Sequence, residues 1–217
     1  MDNERVSQAT GMGVARSLEG MSPLVLASGS PRRAEILRAV GWPFETCPSN
    51  VDETRARGES AEDFVTRLAR EKAEAVARTR LFGLVLGADT TVVAGGEILE
   101  KPRDEEDARR MLRLLSERWH EVLTGVALVR AESGRAAVGL ERTRVRFAAM
   151  SDEEIDWHVS TGDVLDKAGA YAVQGRAALF IEAIEGDYWN VVGLPVRLVY
   201  ELARGFDDKK SENALND

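Results

Sequence analysis

The sequence is poor in the residues that build redox and soft-metal centres. It holds one cysteine, Cys47, and two histidines, His120 and His158, in 217 residues. A single cysteine excludes an intrachain disulfide framework and fits a reducing compartment. Cys47 has no neighbouring His or Cys and reads as a strand residue. Two histidines without a cysteine partner argue against zinc. No apolar run approaches the ~20 residues of a membrane-crossing helix. The first 21 residues carry scattered charges and glycines and no apolar h-region, so they do not read as a secretory signal. Positive charge is also in deficit. Lys and Arg number 29 against 37 Asp and Glu, a formal net charge of -8. That balance argues against a general nucleic-acid binder, whose affinity rests on neutralising phosphates. Repeats, low-complexity segments and Pro/Ser-rich linkers are missing, and the glycines match neither the P-loop nor the dinucleotide spacing. The expectation is a cytoplasmic protein that partners neither nucleic acid nor membrane.

What is present is ordinary for a globular domain, with 44% hydrophobic and 30% charged residues. The expected organisation is one domain over 22–204, a flexible N-terminal extension over 1–21 and a flexible tail over 205–217. Short apolar runs at 24–27, 44–48, 84–88 and 122–129 read as strands. Val92-Val93 and Ile98-Leu99 around Gly95-Gly96 read as a hairpin. Residues 136–148 alternate Arg142, Arg144 and Arg146 with Thr143, Val145 and Phe147, the pattern of a half-exposed strand. Further strands are expected after Tyr171 and over 179–184. Helical periodicity follows Pro31, Ser60, Asp104, Ser151 and Pro195, each a good helix-opening residue. Interleaved helices and strands with a long central hairpin predict an α/β fold on a mixed sheet.

Residues 24–33 run as strand, Ser28-Gly29-Ser30 turn, then a helix opened by Pro31 with Arg32 and Arg33 at its mouth. A helix N-terminus attracts anions through free N–H groups and the macrodipole, and guanidinium forks suit phosphate oxygens. The same residues also read as a surface turn with two solvated arginines. Other polar groups stand at the expected ends of buried runs: Asp89-Thr90, Lys101, and Lys167 to Gln174. Asp52, Glu53 and Lys72 could join them. Taken singly, Asp89 reads as a turn cap, Lys72 as a solvated helix lysine, and Asp52 and Glu53 as loop acids. Together, acids and bases without clustered His or Cys fit a hard cation such as Mg²⁺ bridging phosphate oxygens.

Several blocks, in order, carry a resemblance. They are Ala-Ser-Gly-Ser-Pro-Arg-Arg at 27–33, Val-Asp-Glu-Thr at 51–54, Arg-Glu-Lys-Ala at 70–73 and Leu-Gly-Ala-Asp-Thr at 86–90. Glu-Lys-Pro at 100–102, His-Glu-Val-Leu-Thr-Gly-Val-Ala-Leu at 120–128 and Asp-Lys-Ala-Gly-Ala-Tyr at 166–171 follow. Gln-Gly at 174–175 and Asn-Val-Val-Gly-Leu-Pro at 190–195 complete the set. The sequence resembles the Maf family of nucleoside triphosphate pyrophosphatases, first known as septum-formation inhibitors, from about Leu24 to Leu202. The resemblance implies an elongated mixed sheet flanked by helices, with two lobes around a cleft as in inosine-triphosphate pyrophosphatases. It implies hydrolysis of a nucleoside triphosphate to monophosphate and pyrophosphate with a divalent cation (Mg²⁺, Mn²⁺ or Co²⁺), and a homodimer. Asp89 matches the family's proton acceptor. Arg32, Thr90 and Gln174 match positions of substrate choice. Ser30, Arg33, Lys72 and Lys101 match phosphate-binding positions, and Glu53 with Asp89 the metal site. Arg32 and Gln174 fit the dTTP/UTP branch, since the 7-methyl-GTP branch typically has Trp and Glu there. A glutamine amide can meet both the N–H and the carbonyls of a pyrimidine. A 7-methyl-GTP pyrophosphatase, or a division regulator without catalysis, are the alternative readings. One departure is visible: Glu117 stands where the family commonly has Gly, at an expected helix end.

Overall fold

A computed structural model describes residues 24–160, 162 and 164–213, with side chains through Phe206. The expected N-terminal extension therefore lies outside the described residues. In chain order the elements are β1 (Leu24–Leu26), α1 (Pro31–Ala39), β2 (Phe44–Thr46), α2 (Ala61–Ala77), β3 (Leu84–Ala94), β4 (Glu97–Leu99) and α3 (Glu105–Leu115). Then come β5 (Trp119–Arg130), β6 (Ala136–Phe147), α4 (Asp152–Val159), β7 (Ile181–Glu185), α5 (Tyr188–Val192) and α6 (Val196–Asn213). Short 3-10 turns cover Ala168–Ala170 and Arg176–Leu179.

The sheet is mixed, as the interleaved pattern predicts. Its order is β2-β1-β3-β5-β6-β7, with β4 added beside β3. Strands β2, β1 and β3 run parallel, while β3-β5, β5-β6, β6-β7 and β3-β4 pair antiparallel. The β3-β4 hairpin turns through Gly95 and Gly96, both at positive φ (58° and 82°), which a two-residue hairpin turn of this hand requires.

β3 organises the molecule. It continues through Asp89 where two separate runs were expected, because β5 pairs with it from Leu84 to Val93. On its other edge β1 covers only 84–86 and β4 only 92–94. Among the described residues no strand pairs with 87–91 on that edge, so the sheet is split there.

Period-2 alternation sends the side chains of β3 to two faces. Leu84, Leu86 and Ala88 meet α1 and α6 through Ile36, Leu37, Val199 and Ala203. Farther along the same face, Val92 and Ala94 meet α3 and α4 through Leu112, Leu115, Ile155 and Val159. These two cores form lobes on either side of the split. On the opposite face α2 lies across both, with Ala69, Ala73 and Val76 against Val85 and Ala127, and Phe64, Val65 and Leu68 against Leu123. The caps are those the sequence offers. Ser60 accepts from the Asp63 N–H, Asp104 from the Asp107 N–H, and Ser151 with Glu154 closes a capping box.

Two stretches differ from expectation. Residues 171–174 form no strand: past Tyr171 the chain turns, with the Gly175 N–H on the Ala172 carbonyl, and β7 fills the sheet edge beside β6. The last helix continues past Gly205 to Asn213 where a flexible tail was expected. Phe206 explains the continuation at its start: it is buried, with the guanidiniums of Arg130 and Arg135 over its ring at 5.5 and 4.7 Å. Glu117 sits just past the end of α3 at φ 58°. That left-handed conformation is the physical reason a glycine suits the position.

Candidate active site

The split in the sheet opens a cleft of about 540 Å³. The Ser28–Arg33 corner forms one wall, and residues 166–174 form part of the other. Asp89 and Thr90 are on its floor, on successive residues of β3 and hence on opposite faces.

Asp89 points to the α2 face. There Gly87 and Gly125 let the helix backbone press onto the sheet. A Cβ on Gly87 would stand 2.1 Å from the Ala69 carbonyl oxygen, and one on Gly125 would stand 2.2 Å from that of Val65. This close approach brings Lys72 against the floor. Its Nζ donates to Asp89 Oδ1 at 2.6 Å and pairs with Glu53 Oε1 at 2.8 Å. Lys72 and Asp89 are both buried, so the solvated-lysine reading does not hold. The half-exposed Glu53 is reached from the 51–54 loop. Partial burial pushes its carboxyl up, but the Lys72 bond and the charges of Lys72, Lys101 and Arg33 outweigh that and hold it below the usual range.

Thr90 points to the other face and fixes Arg33. The Arg33 guanidinium donates to the Gly193 carbonyl (2.9 Å), to Ser28 Oγ (3.1 Å) and to Thr90 Oγ1 (3.1 Å). Thr90 Oγ1 also shares a 3.0 Å bond with Thr124 Oγ1. Burial lowers the pKa of Arg33, against the opposing pull of Asp89. Three of its five N–H donors are thus committed to the protein, which leaves two for a ligand.

Arg32, one residue earlier, faces the opposite wall and donates to Asp166 Oδ2 at 3.4 Å. Asp166 also accepts from Lys167 Nζ at 2.6 Å. Burial alone would raise the Asp166 pKa, but Lys167 and Arg32 bring it below the ordinary value. Ser30 is the N-cap residue of α1, yet its side chain makes no capping bond, so the hydroxyl is not spent on its own helix. Lys101 and Gln174 are exposed residues of the cleft wall.

The site residues that the resemblance implies, Ser30, Arg32, Arg33, Glu53, Lys72, Asp89, Thr90, Lys101 and Gln174, line this one cleft. Asp52 does not; its carboxylate turns back to cap the Thr54 N–H. Sequence reasoning missed Gly87 and Gly125 as the contacts that seat α2. It also missed Asp166 as the partner of Arg32, and the Gly193 carbonyl and Thr124 as supports. A Gly two residues before Asp89 was the available signal for the first. The others depend on which loops meet across the cleft, and no local pattern records that.

A cleft with a buried acid–base pair on its floor and guanidiniums on its wall defines an enzyme site for an anionic substrate. The family model for Maf-like proteins matches residues 23–206, and the chain belongs to the Maf family. Among curated relatives, one from Symbiobacterium thermophilum is 51% identical over 186 residues, covering 86% of this chain and 95% of the relative. One from Hahella chejuensis is 49% identical, over 88% and 95% respectively. One from Anaeromyxobacter dehalogenans is 52% identical, over 85% and 94%. All three are named dTTP/UTP pyrophosphatase.

Proposed function

We propose that the protein hydrolyses nucleoside triphosphates, dTTP and UTP foremost, to nucleoside monophosphate and pyrophosphate. The observation that carries this is the convergence of Asp89, Glu53 and Lys72 on the floor of a cleft walled by Arg32, Arg33 and Lys101. The names of the relatives, at about half identity over most of their length, support the same reaction.

In this reading the triphosphate lies against Ser30, the free donors of Arg33, and Lys101. A water attacks the α-phosphorus while Asp89 takes its proton. The bond from that phosphorus to the oxygen bridging toward the β-phosphate breaks, and pyrophosphate leaves with the electron pair. Lys72 and Lys101 stabilise the negative charge that develops. Arg32 and Gln174, at the cleft mouth, select the base.

A divalent cation fits the donors present. Oxygens of Glu53 and Asp89 already surround one cationic point, Lys72 Nζ. No cluster of three or more His, Cys, Asp or Glu is found among the described residues. Phosphate oxygens and water would complete the shell, as is usual for Mg²⁺. When bound there, the cation neutralises phosphate charge and polarises the phosphoryl oxygen. Mg²⁺, Mn²⁺ and Co²⁺ all suit such oxygen ligands. A homodimer and a cytoplasmic setting belong to the same reading; the single cysteine fits the latter. No helix among the described residues is long and apolar enough to cross a membrane.

Asp89→Asn tests the assignment. The variant keeps the size of the side chain and loses the proton acceptor. Turnover should fall by about 10²–10⁴-fold, the usual worth of general-base catalysis, with the circular dichroism spectrum unchanged. A folded variant with wild-type turnover would remove Asp89 from the base role.

A further inference from the structure

Lys72 stands where a cation would be expected. Its ammonium is 2.6 Å from one carboxylate and 2.8 Å from another. It is 6% exposed, and the close contact of α2 with Gly87 holds its helix in place. Two carboxylates and one ammonium leave a single net negative charge at this point. A dication bound to the same oxygens at about 2.0–2.1 Å would lie against the ammonium, and no anion would be there to offset the extra charge. A polyphosphate chain changes that balance. It brings several negative charges and gives the flexible ammonium, with three rotatable donors, a new partner.

We propose that Lys72 is the resident cation of the Glu53–Asp89 pair in the free enzyme, and that it excludes a divalent cation until substrate phosphates draw it away. The inference rests on the pyrophosphatase reading for what draws Lys72 off. Its first consequence belongs to the free protein: the site does not load with metal ahead of the nucleotide. Metal and triphosphate then enter together, and Lys72 moves from the carboxylates to the phosphates. Lys72 thus acts both as an internal competitor of the metal and as a phosphate ligand.

Mn²⁺ binding without nucleotide, followed by the electron paramagnetic resonance of the free ion, tests this independently of hydrolysis. Lys72→Gln should bind Mn²⁺ at least about tenfold more tightly than wild type, roughly 1.4 kcal/mol. The gain should vanish in the Lys72→Gln/Glu53→Gln double variant. Glu53→Gln alone should stay within about threefold of wild type, because wild type does not offer those oxygens to the ion. The proposal is overturned if folded Lys72→Gln binds no more tightly than wild type. It is also overturned if Glu53→Gln alone weakens wild-type binding by about tenfold or more. The second comparison needs no change at the buried lysine, so it decides even if Lys72→Gln does not fold. Absence of nucleotide hydrolysis would instead sink the pyrophosphatase reading and leave the Mn²⁺ result standing.

Discussion

A methyl group on Gly87 disturbs the catalytic floor without touching any of its polar atoms. The Cβ of Gly87→Ala would lie 2.1 Å from the Ala69 oxygen, 2.8 Å from the Ala73 nitrogen and 3.0 Å from the Ala73 Cβ. Heavy atoms in contact need about 3.5–4.0 Å, so α2 must withdraw by more than about 1 Å. Lys72 lies between Ala69 and Ala73 on that helix. Its 2.6 Å bond to Asp89 would lengthen past the ~3.2 Å limit of a good hydrogen bond. Overpacking of this kind costs about 1–3 kcal/mol. For a chain of this size the melting temperature should fall by roughly 2–4 °C per kcal/mol. Misplacement by about 1 Å can cost 10²-fold in rate, so pyrophosphate release from dTTP should fall by about that factor. Gly134→Ala is the control. Gly134 has φ 67° in the 131–134 turn, with nothing within 4 Å of its Cβ. It should lose about 1 kcal/mol and no activity. If Gly87→Ala melts and turns over like wild type, the account of how Lys72 is held against Asp89 is wrong.

Two predictions concern stability away from the reaction. Glu117→Gly should raise stability by up to about 1 kcal/mol, since it relieves a left-handed backbone at φ 58°; urea unfolding reads this, and a loss of stability would contradict it. His120 is buried on β5, 2.8 Å from the Tyr171 hydroxyl, and burial pushes its pKa down to about 4. Its folded pKa lies below the unfolded value of 6.5, so the neutral ring stabilises the fold above about pH 6.5, and that contribution is lost as pH falls toward 4. The loss is roughly 3 kcal/mol over that window. A His120→Gln variant should unfold with a shallower pH dependence there, and an unchanged slope would refute the assignment.

The sequence was legible where physics is local. Period 2 in 142–147, the capping residues Ser60, Asp104 and Ser151, and the Gly95-Gly96 turn each predict the element that forms. The candidate residues of the cleft were legible through the order of their blocks. Their arrangement was not. Asp89 looked like a residue at the end of a strand because Ala88-Asp89-Thr90 interrupts an apolar run. Ten consecutive pairings with β5 carry β3 through it. Lys72 looked solvated because one lysine on a helix usually is. Only the missing side chains at Gly87 and Gly125, distant in sequence from each other, bring its helix close enough to bury it. The Ser28–Arg33 corner serves two roles. Arg33 is locked by Ser28, Thr90 and Gly193, while Arg32 reaches across the cleft to Asp166. The resemblance already separated the two arginines by role; the contacts that hold each one come from loops distant in sequence. The continuation of α6 past Gly205 rests on Phe206 meeting Arg130 and Arg135, a tertiary contact that overrides the local weakness of glycine.

A panel of nucleoside triphosphates incubated with the protein and Mg²⁺, Mn²⁺ or Co²⁺, with monophosphate and pyrophosphate both quantified, tests the bond cleaved and the base selected together. Monophosphate and pyrophosphate should appear in equimolar amounts, with kcat/KM for dTTP and UTP highest and at least about tenfold above 7-methyl-GTP, roughly 1.4 kcal/mol in barrier. Release of inorganic phosphate with a nucleoside diphosphate would contradict the assigned bond cleavage, and a tenfold preference for 7-methyl-GTP would contradict the roles given to Arg32 and Gln174.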